Sequence, residues 1–247
     1  MKGIRHECVS SVYGAVATPS ELTIVTDLVR RGSLRGVLDD RTKRDSLTSE
    51  IRHKIMKDMA SGMAYLEKQG VQHRNLHSRN VLITKEWGAK VADYGLANTM
   101  EVLMCADGSG KASVDSSNSG TRGGNSKGSN WRSASLRWTA PELLRPSADG
   151  SDPYTTASDV YSMGIIVWEI VCGGPKLPWD GVPDEKARDG IVKSMILEGS
   201  TPPVPMEIPI AYSKLMYLCW RKNSSARPSF EHVAEVLLNE PPPAKAS

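Results

Sequence analysis

His73-Arg74-Asn75-Leu76-His77-Ser78-Arg79-Asn80-Val81-Leu82-Ile83 is the run on which the reading of this chain turns. Its first eight residues are polar except for Leu76, and three aliphatic residues close it. On the N-terminal side, Ile51, Ile55, Met59, Met63 and Leu66 recur at three- and four-residue spacing between Thr48 and Lys68, and Gly70 follows. That periodicity predicts a long amphipathic helix ended by the glycine. On the C-terminal side, Val81 to Ile83 and Lys90 to Ala92 are short β-type runs separated by the turn-like Lys85-Glu86-Trp87-Gly88, which predicts a hairpin. The polar run is therefore a loop placed between a helix and a hairpin.

Further out, Val12 to Val16 and Leu22 to Thr26 read as a second hairpin turned at Thr18-Pro19-Ser20. From Asp107 to Ser135, 15 of 29 residues are Gly or Ser, a composition that predicts disorder. The tail from residue 241 to 247, opening on three prolines, is expected to be disordered as well. Ser158 to Cys172 is apolar on nearly every face, and such a helix lies in the middle of a domain. Further helices are predicted at Asp184 to Glu198, Ala211 to Lys222 and Phe230 to Leu238.

A length of 247 residues fits one large domain or two small ones. With 24% charged residues and no apolar run near the ~18 needed to cross a bilayer, a transmembrane reading is excluded. Lys2 and Arg5 precede a semi-apolar stretch, but Ser10, Ser11 and Gly14 interrupt it, so a buried strand fits better than a signal peptide. Cys8, Cys105, Cys172 and Cys219 form no CxxC pair, which argues for a reducing, cytoplasmic setting rather than disulfides or zinc. A net charge of +3 is too small to argue for nucleic acid or an anionic membrane.

The polar run resembles the catalytic loop of protein kinases, and further matches follow in the family's order. Asp93-Tyr94-Gly95 stands where the family has DFG, and Ala140-Pro141-Glu142 is similar to its APE motif. Ser158-Asp159-Val160-Tyr161-Ser162-Met163-Gly164 resembles the start of the central buried helix, and Cys219-Trp220 with Arg227-Pro228-Ser229-Phe230 its closing signature. Five matches in register cover roughly residues 6 to 238. Arg137-Trp138-Thr139 and the Cys-Trp pair are most similar to the tyrosine and tyrosine-kinase-like group. The kinase-homology domain of receptor guanylyl cyclases carries motifs similar to Asp93-Tyr94-Gly95 and Trp138-Thr139-Ala140-Pro141-Glu142.

The resemblance implies an α+β fold: a mainly helical C-lobe with a truncated N-lobe holding only the family's fourth and fifth strands and the hinge, over residues 1–240. It implies a nucleotide site of Thr26 as gatekeeper, Asp27, Leu28 and Val29 as hinge, Leu82 and Asp93. Asp93 and Asn80 would hold Mg2+ with hard oxygen donors. Arg79 would replace the charge of a lysine near the transferred phosphate, since His77 stands where Ser/Thr kinases carry that lysine. His77 reads equally as a phosphate contact or as an exposed loop residue. Arg74 would pair with a phosphorylated residue, which must be Ser or Thr because no tyrosine lies between Gly95 and Pro153. His73, Tyr94 and Asp159 take structural roles, Tyr94 needing a partner for its hydroxyl if buried, and Glu142 and Arg227 would form a buried ion pair.

Asn75 is the decisive departure: the family has there the aspartate that accepts the substrate's proton. The Gly-rich loop, the lysine that anchors the ATP phosphates and the helix that holds it have no counterpart in the chain, and no GxGxxG replaces them. Asp107 to Ser113 superficially resembles a P-loop, but Cys105 stands where its first glycine belongs. The expected function is a pseudokinase-like interaction or regulatory module with a protein partner and doubtful binding of ATP and Mg2+. The alternatives are a fragment of an active protein kinase acting on protein substrates, or a regulatory module of the guanylyl cyclase type. Without the missing strands, Val12, Val16 and Ile24 are expected to present an exposed apolar face.

Overall fold

The computed structural model describes residues 3–18, 21–95, 135–145, 152–182 and 188–240. The Gly/Ser-rich run up to residue 134 and the tail 241–247, both expected to be disordered, lie outside the described residues. The architecture is α+β and mainly helical. Strands β1 (Val12–Thr18) and β2 (Glu21–Thr26) pair antiparallel. Two short helices follow, α1 (Leu34–Asp39) and α2 (Arg41–Asp45), then the long α3 (Ser49–Lys68). The second hairpin is β3 (Val81–Ile83) with β4 (Ala89–Val91). The remaining helices are α4 (Thr156–Trp168), α5 (Arg188–Glu198), α6 (Ile210–Cys219) and α7 (Phe230–Asn239). Among the described residues no helix is long and apolar enough to cross a membrane.

Helix α3 starts because the Thr48 hydroxyl accepts from the Ile51 N–H at 3.3 Å, satisfying one of the orphan donors of the first turn. It ends at Gly70, whose φ of +69° only glycine adopts without strain. Its stripe Ile55, Met56, Met59, Met63 and Leu66 is buried, packed against α7 and β4. Along the free edge of β4 runs the segment Cys8 to Ser10: Ser10 N–H donates to Val91 O and Val91 N–H to Cys8 O, both at 2.8 Å. Gly62 allows this approach, since a Cβ there would lie 2.5 Å from Cys8 O.

Every residue of α4 from Ser158 to Trp168 is buried, and the chain then makes a π turn over Glu169–Gly173. Helix α4 packs on α6 at Gly164, where a Cβ would stand 2.7 Å from both Cys219 Cβ and Trp220 Nε1. Gly164→Ala is therefore an overpacking change, expected to cost about 1 to 3 kcal/mol. Denaturant titration checks this, and an unshifted midpoint would contradict the contact.

The β1–β2 hairpin differs from its expected face. A register shift at Tyr13 pairs Val12 with Thr26 but Gly14 with Val25. An extra residue on one strand disturbs the alternation of sides. Val12 packs against the core, and Ile24 is only partly buried. Val16 is 60% exposed as expected, but the other exposed apolar groups are Tyr13, Val25 and Leu28.

Candidate functional site

The loop from His73 to Asn80 is held by backbone hydrogen bonds. The N–H groups of His73 and Arg74 donate to the two oxygens of Asp159 on α4, at 2.9 and 3.1 Å. At the other end, Asn80 Nδ2 donates to Asn75 O at 2.9 Å. Arg74 sits at φ +67° and Asp93 at +59°, a region costly for residues other than glycine and persisting only where neighbours enforce it. Here the two strained residues belong to facing segments: Gly95 N–H donates to His73 O at 3.2 Å, and Ala92 N–H to Asn80 O at 2.9 Å. These bonds bring His73, Arg74, Asn75, Asn80 and Asp93 into one neighbourhood.

Tyr94 is buried, and its hydroxyl donates to Ser10 O at 3.2 Å. That bond supplies the partner its extra oxygen requires and ties the Asp93-Tyr94-Gly95 turn to the N-terminal segment. Asp93 itself is exposed at its edge, with partial burial raising its carboxyl. Arg79 is exposed. Asn75 Oδ1 is buried without a donor among the described residues.

The hinge candidates reach this neighbourhood through β3 and β4. Ile83 N–H donates to Gly32 O at 2.8 Å, and Ser33 bridges Leu82, so Leu82 lies beside the segment that follows the hinge. The Asp27 carboxylate accepts from Lys90 Nζ and Tyr13 Oη at 2.8 Å and from Ser11 N–H at 3.1 Å. Burial opposes this charge, but the donors outweigh it and hold the carboxyl below its usual range. Thr26 and Leu28 are exposed, Leu28 by 89%, whereas Val29 is partly buried.

His77 is neither an exposed loop residue nor open to a phosphate. It is 8% exposed, its ring lies 5.6 Å from that of Trp138, and its Nδ1 accepts from Arg79 N–H at 3.2 Å. Burial pushes its imidazole down to about 4, and that of the wholly buried His73 equally. A depressed base is neutral when folded, so its contribution to stability is present above ~6.5 and is lost as pH falls toward 4. At pH 5 the loss is about 2 kcal/mol for each histidine. The fall in unfolding free energy between pH 7 and 5 is thus expected to be smaller by about that amount in His77→Gln. Equal pH slopes by chemical denaturation would overturn this.

Several contacts were not visible in the sequence reading. Glu169, wholly buried at the start of the π turn, accepts from Arg35 Nη1 and Ser78 Oγ at 2.9 Å and from Trp138 Nε1 at 2.7 Å. Burial raises its carboxyl against the pull of those three donors. It joins α1, the loop and the Leu136–Trp138 turn. The one signal was an acidic residue inside the apolar run Ile165 to Val171, since a buried charge needs partners. Arg74 carries Asp152 on its guanidinium, an ion pair that no motif announced. Glu142 and Arg227 form a two-pronged pair at 2.7 and 2.8 Å.

The family described as protein kinase domain matches residues 1–238. Probable serine/threonine-protein kinase drkA of Dictyostelium discoideum is 33% identical over 241 residues, covering 96% of this chain and 32% of that protein. Ephrin type-A receptor 5 of Gallus gallus is 31% identical over 232 residues, covering 94% of this chain and 20% of the receptor. The Homo sapiens receptor of the same name is also 31% identical and is covered over 19% of its length. The chain thus spans a third or less of the curated relatives it matches.

Proposed function

This chain belongs to the protein kinase domain family, and from that premise we propose that it is a catalytically impaired, pseudokinase-like interaction or regulatory module of kinase signalling. Asn75 carries the reading. It occupies the position of the family's proton-accepting aspartate, and an amide has no basic lone pair at neutral pH. The backbone of the loop around it is held at both ends, so what this position lacks is the basic side chain.

Binding of ATP is weak on this reading. The family resemblance assigns a cation to Asn80 and Asp93. Their donor chemistry fits Mg2+. With Nδ2 given to the Asn75 carbonyl, the remaining polar atom of the Asn80 amide is its oxygen, and Asp93 offers an exposed carboxylate. When bound, the ion would offset the charge of the nucleotide phosphates. Adenine would meet the backbone of Asp27 to Val29 with Leu82 beneath it. The chain contributes no Gly-rich loop or phosphate-anchoring lysine of the family's kind to this site. Among the described residues, Tyr13, Val16 and Val25 of the hairpin and Leu28 just after it are exposed apolar groups, and a protein partner is expected there.

A second reading, part of an active tyrosine or Ser/Thr kinase, is favoured by Asp93, Asn80 and Arg79, all present at the positions the resemblance assigns. The experiment that separates the two is phosphate transfer from labelled ATP to a generic protein substrate, parent against Asn75→Asp. Measurable and equal turnover would reject the impaired reading.

A further inference from the structure

Arg74 is held at φ +67° by a short segment far away in sequence. Asp152 places its carboxylate on the Arg74 guanidinium. Tyr154 lies with its ring centroid 4.8 Å from the same guanidinium, and its hydroxyl donates to Asp159 Oδ1. That Asp159 carboxylate also accepts the N–H groups of His73 and Arg74. The segment is internally braced: Tyr154 N–H donates to Asp152 Oδ1 at 3.1 Å, and Pro153 between them fixes one backbone torsion. Carboxylate and ring therefore arrive together, one on the charge of Arg74 and the other beneath its face.

We propose that Asp152 and Tyr154 are positioning residues for the loop from His73 to Asn80, and that Asp152 is a resident counter-anion which holds Arg74 without any phosphate. A phosphate arriving at Arg74 would have to displace a carboxylate already paired there and stiffly mounted. The loop is then set by the fold itself, and its geometry does not report the phosphorylation state of the chain. This goes beyond the proposed function and does not depend on turnover.

The test compares melting of the full chain as parent, Asp152→Ala, Asp152→Glu and the double variant Arg74→Ala with Asp152→Ala. Each is measured with millimolar inorganic phosphate or with chloride of equal ionic strength. The pair is partly exposed, Arg74 at 19% and Asp152 at 53%, so its loss is expected to lower the melting temperature by about 2 to 4 °C. Asp152→Glu should recover most of that. Phosphate should raise Asp152→Ala more than the parent or the double variant, because only there is a guanidinium left without its anion. Hydrogen exchange at the His73 and Arg74 amides should quicken in Asp152→Ala and slow again with phosphate, a change that loss of packing elsewhere would not reverse. Asp152→Ala melting within about a degree of the parent, or phosphate raising all variants equally, overturns the proposal.

Discussion

Arg227→Ala is expected to remove about 3 to 5 kcal/mol of folding free energy, because it deletes one half of a buried ion pair and leaves the other half charged. The arginine side chain is 0% exposed and Glu142 only 19%. Its guanidinium donates from both Nη atoms to the two Glu142 oxygens, from Nη1 to Ala157 O at 2.8 Å, and from Nε to Arg221 O at 2.8 Å. Alanine would leave Glu142 with the Ser158 hydroxyl, 2.9 Å from Oε1, and would take one donor from each of the Ala157 and Arg221 carbonyls. The cost of an orphaned buried polar group adds to that of the unpaired charge. Three segments come apart at this one residue: the turn Pro141–Leu144, the start of α4, and the stretch between α6 and α7. For a chain of this length ~1 kcal/mol moves the midpoint by about 2 to 4 °C, so a drop near 10 °C or more is expected. Arg227→Lys should recover little of it, since an ammonium cannot match the two-pronged geometry. A variant melting within about a degree of the parent would falsify the pairing.

The same pair shows what kind of information the sequence carried. The family resemblance made Glu142 and Arg227 a candidate pair, and the 3.6-residue period of Ile51, Ile55, Met59, Met63 and Leu66 was enough to give α3. Periodicity fails for short elements. Helices α1 and α2 are six and five residues long, too short for an apolar stripe to repeat, and were not read from the sequence. Helix α5 begins at Arg188, and residues 184–187 of its expected span lie outside the described ones. The register shift at Tyr13 redirected the hairpin face because a bulge is a backbone event without a residue signature here. His77 was ambiguous because its neighbour is Trp138, 61 positions away. Residues that act through sequence-local spacing were readable. Those that act through a distant partner outside any family motif, such as Glu169 on Trp138 or Asp152 on Arg74, needed the fold.

Asn75→Asp is expected to raise phosphate transfer by about 100- to 10,000-fold over the parent, the usual worth of a positioned general base. On the proposed reading, the backbone frame for such a base is in place. Asn80 Nδ2 holds the backbone carbonyl of residue 75, and its N–H reaches His73 Nδ1 at 3.4 Å, contacts that do not involve the amide side chain and survive its exchange for a carboxylate. The family's aspartate takes its proton from a substrate hydroxyl, and the Asn75 Oδ1 has no donor among the described residues. An amide oxygen can orient that hydroxyl but cannot take its proton, whereas a carboxylate of the same shape can do both. The gain should vanish when Asp93→Asn is added, because a contaminating kinase would be indifferent to both substitutions. If parent and Asn75→Asp turn over measurably and alike, the amide is not the defect and the impaired reading falls. If neither turns over, restoring the base is not sufficient for transfer in this chain. That outcome would favour the interaction module more strongly than a recovered activity would.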